Sequence, residues 1–333
     1  MKIDVLCNDG SPLGVCTKDI YGENGRIGIG GAELALLTMC EAWHNAGHQL
    51  RLYNDPKTPE GSPFPQYPIS TFYASEPRDA LVIFRSPNSR AIGAVGKKIW
   101  WSCDQYTVGD FADFSRKVDK IVTISPFHTN FFRSTYGIEN SINIDLPVRS
   151  WDYDQKVDKV PHRLIFCSVP DRGLSLLARL YPKIQQEVSD VSLVITSDYR
   201  LWGVDYPANE QYIPQFMNMN GVRFLGAIPR RELVMEQLQA QVQAYPCTYE
   251  ELFCYAVAEC QVAGCIPVTS DIGALGTTNM GIQVHGWIGA PDWDDQFVNA
   301  VVNTLNSPPP PIDKNRFSID KVLAEWNEKV FNG

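Results

Sequence analysis

Glu251 and Glu259 stand eight positions apart within the stretch Tyr249 to Asp271, and their spacing is the clearest chemical signal in the chain. Eight residues make a little over two helical turns. A helix starting near Phe253 therefore carries Glu259 on its second turn and leaves Glu251 in the loop at its positive end. Two carboxylates so placed reach one polar ligand from two levels; the plainer reading is a capped, half-buried helix with a solvated glutamate. Phe253, Ala256, Val257 and Val262 supply the apolar face, and Gly264 stops the helix before a β-rich run, Cys265 to Thr269.

Further candidates also lie where strands end. Ser168-Val169-Pro170-Asp171-Arg172-Gly173-Leu174 opens a helix, and an arginine beside a glycine there suits a diphosphate, with the helix dipole adding its partial positive charge. A surface ion pair between Arg172 and Asp171 is the alternative. Gly28-Ile29-Gly30-Gly31-Ala32-Glu33 runs straight into another helix; its glycines either let amides approach an anion or permit a tight turn. The third glycine of the dinucleotide fingerprint is absent. Ser270-Asp271-Ile272-Gly273-Ala274 suits a polar ligand, and Asp104, in Ser102-Cys103-Asp104-Gln105, is a candidate base or hydroxyl binder. Leu252 and Phe253, directly after the first glutamate, are candidates to line the same ligand.

Two acidic doublets, Asp152-Tyr153-Asp154 and Asp292-Trp293-Asp294, match a pattern that holds divalent cations. The first falls in a polar connecting segment and the second at a helix start, where carboxylates are favoured anyway. No metal site is expected. Histidines 44, 48, 128, 162 and 285 show no ligand spacing and do not gather in the candidate loops. Neither a Walker motif nor a GxSxG elbow occurs.

The elements that must hold these residues alternate short apolar strands with helical patterns, the signature of parallel sheets covered on both faces. In the first half, strands are expected at Ile3 to Cys7, Leu50 to Tyr53, Ala80 to Arg85, Lys98 to Ser102, Lys120 to Ile124 and Ser141 to Asp145. Helices are expected at Ala32 to Ala46 and after Ser125-Pro126. Arg149 to Val160 is polar and reads as a linker, after which the pattern restarts at Arg163. The expected division is residues 1–150, a linker at 151–160, a second domain at 161–307, and a Pro-rich connector with a final helix at 308–333 that packs back on the first domain. The fold class is therefore α/β, with two tandem Rossmann-like, doubly wound domains facing across a cleft, and ligands beyond the carboxyl ends of the strands.

Composition bounds the partners. At 333 residues the chain suits two domains, and 44% hydrophobic residues mark it as globular. A net charge of −9 argues against a nonspecific grip on nucleic acid. The nine scattered cysteines contain no CxxC pair and read as reduced core thiols. Neither a signal peptide nor a transmembrane segment is evident, so a soluble, cytoplasmic protein is expected.

In this arrangement the chain resembles nucleotide-sugar glycosyltransferases of the GT-B fold, and most closely glycosyltransferase family 4, over nearly its whole length. The resemblance rests on Gly30-Gly31-Ala32-Glu33, Ile121 to Ser125, Arg172-Gly173-Leu174, Phe224-Leu225-Gly226 with Arg231-Glu232-Leu233, Glu251 through Glu259, and Ala263 to Val268. It implies a retaining, metal-independent transferase without a cofactor. The donor is a nucleoside-diphosphate sugar, and the acceptor is an unidentified glycan, lipid or small molecule. By resemblance, Glu251 touches the donor sugar, Glu259 the ribose, and Arg172 the leaving diphosphate, with the Gly30 and Gly31 amides completing that site. The sequence departs from the family where Cys167 replaces an arginine, where Ser102-Cys103-Asp104 lacks a histidine, and where Leu252 and Cys254 replace small residues. A GT-B nucleotide-sugar epimerase and a nucleotide-sugar-binding protein without turnover are the alternatives.

Overall fold

The computed structural model describes residues 1–8, 14–202 and 210–333, which divide into two compact units, Met1–Val148 with Phe317–Gly333, and Arg149–Arg316. The loop that precedes Gly28 includes residues 9–13, which lie outside the described residues.

In the first unit the strands are β1 (Lys2–Leu6), β2 (Gln49–Tyr53), β3 (Gln66–Tyr67), β4 (Ala80–Phe84), β5 (Lys97–Trp101), β6 (Lys120–Thr123) and β7 (Ser141–Asn143). They form one sheet in the order β3-β2-β1-β4-β5-β6-β7, parallel at every pairing. β3 has only two residues, too short for any periodicity, and was not anticipated. β4, Ala-Leu-Val-Ile-Phe, is buried along its whole length, as a central parallel strand covered on both faces must be. The helices are α1 (Gly31–Asn45), α2 (Phe111–Ser115) and α3 (Pro126–Tyr136). α3 starts as its sequence dictates, with Ser125 accepting from the His128 amide and Pro126 in the first turn.

The second unit contains β8 (Arg163–Phe166), β9 (Ser192–Ile195), β10 (Val222–Phe224), β11 (Val242–Tyr245), β12 (Ile266–Ser270) and β13 (Ile282–Val284). Their order is β10-β9-β8-β11-β12-β13, again all parallel. Around them lie α4 (Leu174–Glu187), α5 (Ile213–Phe216), α6 (Arg230–Gln239), α7 (Tyr255–Val262), α8 (Leu275–Thr278) and α9 (Pro291–Asn306). In α9, Trp293, Phe297, Val301 and Leu305 recur every fourth residue and are all buried, which fixes the face it turns to the sheet. The order of strands reverses between β8 and β11. In an open parallel sheet the crevice for a ligand opens beyond that point.

The polar segment expected to be a linker is tied into this unit. Tyr153 is buried with its hydroxyl donating to Gln237 Oε1 at 2.7 Å, and Asp152 pairs with Arg230 at 2.6 Å. At the chain's end, α10 (Ile319–Glu325) continues into a π-helical turn, Trp326–Phe331. Within the first unit, Trp326 packs edge-on against Trp43 of α1 and Trp101 of β5, with ring centroids 5.0 and 5.4 Å apart. Such edge-to-face pairs add stability beyond their buried area.

Candidate functional site

The loops that leave β8 and β11 meet at the reversal point. Gly173, with φ of 102°, makes this approach possible, because a Cβ there would lie 2.1 Å from the Pro246 carbonyl oxygen. Arg172, beside it, donates from Nε to Glu251 Oε1 at 3.1 Å and from Nη1 to Asp171 Oδ2 at 2.8 Å. Its guanidinium carbon sits over Tyr249, 3.6 Å from the ring centroid. The Tyr245 hydroxyl donates to the same Glu251 oxygen at 3.1 Å. Burial pushes the Glu251 carboxyl above its ordinary value, against the opposing pull of Arg172 and Tyr245. For Arg172 burial works against the charge, but Glu251 and Asp171 outweigh it and raise the pKa.

Glu251 and Glu259 belong to separate clusters. Glu259, on the second turn of α7, accepts from Arg230 Nη1 at 2.7 Å, and Arg230 Nε reaches Asp152 Oδ2 at 2.6 Å. All three side chains are almost wholly enclosed. Burial disfavours the Arg230 charge, yet Glu259 leads the groups that hold it on. The helix itself begins at Tyr255, after Cys254 adopts φ of 67°, an uncommon conformation for a residue with a side chain.

Of the other donor-side candidates, the Phe253 ring is in the core at 2% exposure and Leu252 is half-buried. Ser270 is buried, its hydroxyl donating to the Cys247 carbonyl at 2.6 Å. The Asp271 carboxylate lies 2.7 Å from His285 Nδ1, which brings one histidine to the candidate loops after all. Cys167 Sγ lies 3.6 Å from Cys260 Sγ, so the departure at 167 joins a buried thiol cluster that leaves no cation there.

Gly30, Gly31 and Asp104 belong to the first unit. Gly30 caps α1 with ordinary extended backbone and Gly31 begins the helix; neither has a positive φ, so the turn does not demand glycine. Glu33, in the first turn of α1, pairs with Arg85 at 3.2 Å. Asp104 organises its own loop. Its carboxylate takes hydrogen bonds from the Ser86 and Thr107 hydroxyls at 2.6 Å and from the Gln105 amide at 2.8 Å. Burial alone raises its pKa, but these donors together bring it below the ordinary value, so the group stands as a fixed anion and not as a poised base.

Sequence reasoning missed Tyr245, Tyr249 and Arg230; it weighed Asp171 only as an ion-pair partner of Arg172, which the structure shows it to be, and Asp152 only as a cation ligand. Tyr245 and Tyr249 were within reach, being at the end of a strand and two positions before Glu251. Arg230 carried no signal, because its partners are 78 and 29 positions away.

Residues 161–307, most of the second unit, match the family described as "Glycosyl transferases group 1". No curated protein matches the chain by sequence. Among solved structures it resembles HepE of Anabaena in complex with UDP at a TM-score of 0.69 and 14% identity, covering 100% of each chain. It resembles the sucrose-phosphate synthase of Thermosynechococcus elongatus at 0.68 and 13%, covering 98% of each. A glycosyltransferase of Rickettsia africae gives 0.68 and 13%, covering 99% of this chain and 98% of that one. The fold is therefore GT-B, built from two Rossmann-like units. Among the described residues no helix is long and apolar enough to cross a membrane.

Proposed function

We propose that the protein is a hexosyl- or pentosyltransferase. It moves a sugar from a nucleoside-diphosphate sugar to an acceptor hydroxyl, with retention and without a metal ion. The observation that carries this reading is the Arg172 guanidinium, set over Tyr249 and against Glu251 at the reversal point of the unit that matches the group 1 glycosyl transferases. The HepE structure in complex with UDP and glucose supports a donor of this class.

In this reading Arg172 exchanges a carboxylate oxygen for a phosphate oxygen as the donor enters. It then balances the charge that develops on the diphosphate when the bond from the sugar breaks. Preplaced charge of this kind is commonly the largest catalytic contribution, and a guanidinium here takes the role a divalent cation has elsewhere. Glu251 accepts from donor-sugar hydroxyls and Glu259 from the ribose, with Ser270, Asp271 and the Leu252 and Phe253 backbone lining the donor. The α1 amides at Gly30 and Gly31, and Asp104, are the first unit's candidates. Nine unpaired thiols fit the reducing cytoplasm.

Calorimetry with a panel of nucleotide sugars, followed by an assay of nucleoside diphosphate release with and without acceptors, tests the proposal. Binding and release support it; absence of both refutes it. A second reading, a donor-binding protein without turnover, is favoured by Arg172 facing two carboxylates and by the uncharged Cys167. Binding without release would select it.

A further inference from the structure

In the second unit the loop after β13 presents Trp287 at 86% exposure. Isolated surface hydrophobics are ordinary. This one is different in how it is held. Gly286, at φ of 117°, and Gly289, at φ of 83°, shape the loop. The Ala290 amide closes a turn onto the Trp287 carbonyl at 3.0 Å, and Arg179, paired to Asp294, donates to the Gly289 carbonyl at 3.3 Å. The backbone on both sides of the indole is fixed while the ring stays in water.

The neighbours are polar. Two positions before Trp287, His285 Nδ1 lies 2.7 Å from Asp271 Oδ2 on the loop after β12. That loop is joined to the next one inward: the Ala274 amide donates to the Glu251 carbonyl at 2.7 Å, and a Cβ on Gly273 would lie 2.7 Å from the same oxygen. β11, β12 and β13 are adjacent and parallel, so at about 4.8 Å per strand the row from the Glu251 loop to the Trp287 loop spans about 10 Å.

We propose that Trp287 and His285, the latter held by Asp271 of the donor-lining loop, form a saccharide subsite, which makes the acceptor a glycan chain and not a single small molecule. A sugar ring has an apolar C–H face and a rim of hydroxyls. The indole offers a flat, electron-rich face for the first, and the imidazole, oriented by Asp271, offers its other ring nitrogen for the second. A chain reaching one or two rings from the centre at Glu251 meets the subsite along the same sheet edge. The inference rests on the glycosyltransferase reading for its meaning, but the subsite binds sugar whether or not transfer occurs.

The test uses the full chain and titrates maltotetraose, cellotetraose and chitotetraose by saturation-transfer NMR and tryptophan fluorescence. At least one tetraose binds the wild type, Trp287→Ala weakens it by about fivefold or more, and Trp287→Phe retains most of the affinity. If no tetraose binds, or if Trp287→Ala binds as the wild type does, the subsite is refuted. UDP binding, read by calorimetry on the same samples, reports the donor site separately. Its absence counts against the proposed function, leaving the saccharide result to stand on its own.

Discussion

Arg172 Nε lies 3.1 Å from Glu251 Oε1, and this contact joins the two loops that flank the reversal of strand order in the second unit. Glu251→Gln should lower transfer by about 100-fold, the scale seen when one transition-state contact is removed. It should also stabilise the fold at neutral pH. Burial raises the Glu251 carboxyl above its ordinary 4.5, so the folded chain favours the protonated form. The associated stability is present below 4.5 and is lost as pH rises through the folded value. Thermal unfolding at pH 7 should show the Gln variant melting higher than the wild type, with the gap closing toward pH 4. A wild type that melts higher at pH 7 would overturn this account of the site.

Asp171 is the weaker partner of Arg172, 43% exposed where Glu251 is 18%. An incoming diphosphate competes with both carboxylates for one guanidinium. Removing the exposed one should help binding, by no more than about 1 kcal/mol because solvent screens the pair. Asp171→Asn should therefore tighten nucleoside-diphosphate binding by a few-fold at low salt, with the gain shrinking as salt is added. Isothermal titration at two ionic strengths checks it, and weaker binding would show that Asp171 itself contacts the ligand.

How much of this was legible in the sequence follows from the range of the forces involved. β4, α1, α3 and α9 announce themselves because their apolar spacing is local, and the loops at strand ends follow from the topology that such spacing implies. Arg172 and Glu251 were singled out for that reason. Their mutual contact was not, since it depends on Gly173 letting two distant loops touch. Asp104 looked like a base because its loop leaves a strand, but Ser86 and Thr107, which bind its carboxylate, were invisible as donors until folded. β3 escaped because two residues carry no period. The segment at 151–160 read as a linker on polarity alone, and that polarity is what Asp152 uses to reach Arg230.

Arg230 holds Asp152 and Glu259 where almost no water reaches them. Removing the cation takes this ion pair from both enclosed carboxylates, and breaking a buried pair in this way costs about 3–5 kcal/mol. Arg230→Met should lower the urea midpoint accordingly. Combining it with Glu259→Leu should recover part of the loss, because the enclosed Glu259 charge that Arg230 balanced is then gone. If the double variant is no more stable than Arg230→Met alone, the pair does not carry the stability assigned to it.

His128 gives the first unit its own response to acid. Its ring is fully buried in α3, edge-on to Phe132 with centroids 4.4 Å apart, and burial, opposed by Asp104, pushes its pKa down from 6.5 to about 3. The unfolded chain therefore binds the proton first. Stability attributable to this group is intact above 6.5 and falls as pH drops from there toward 3. The slope is at most about 1.4 kcal/mol per pH unit. His128→Asn keeps a polar acceptor near the Ile124 amide but has no charge to gain. At pH 7 it should be the less stable protein, having lost ring packing, and the wild type should lose that advantage as the pH falls. Urea unfolding at pH 7, 6, 5 and 4 measures the difference between the two, in which acid effects common to both cancel. A difference that stays constant across those four values would mean that His128 is not the group that titrates.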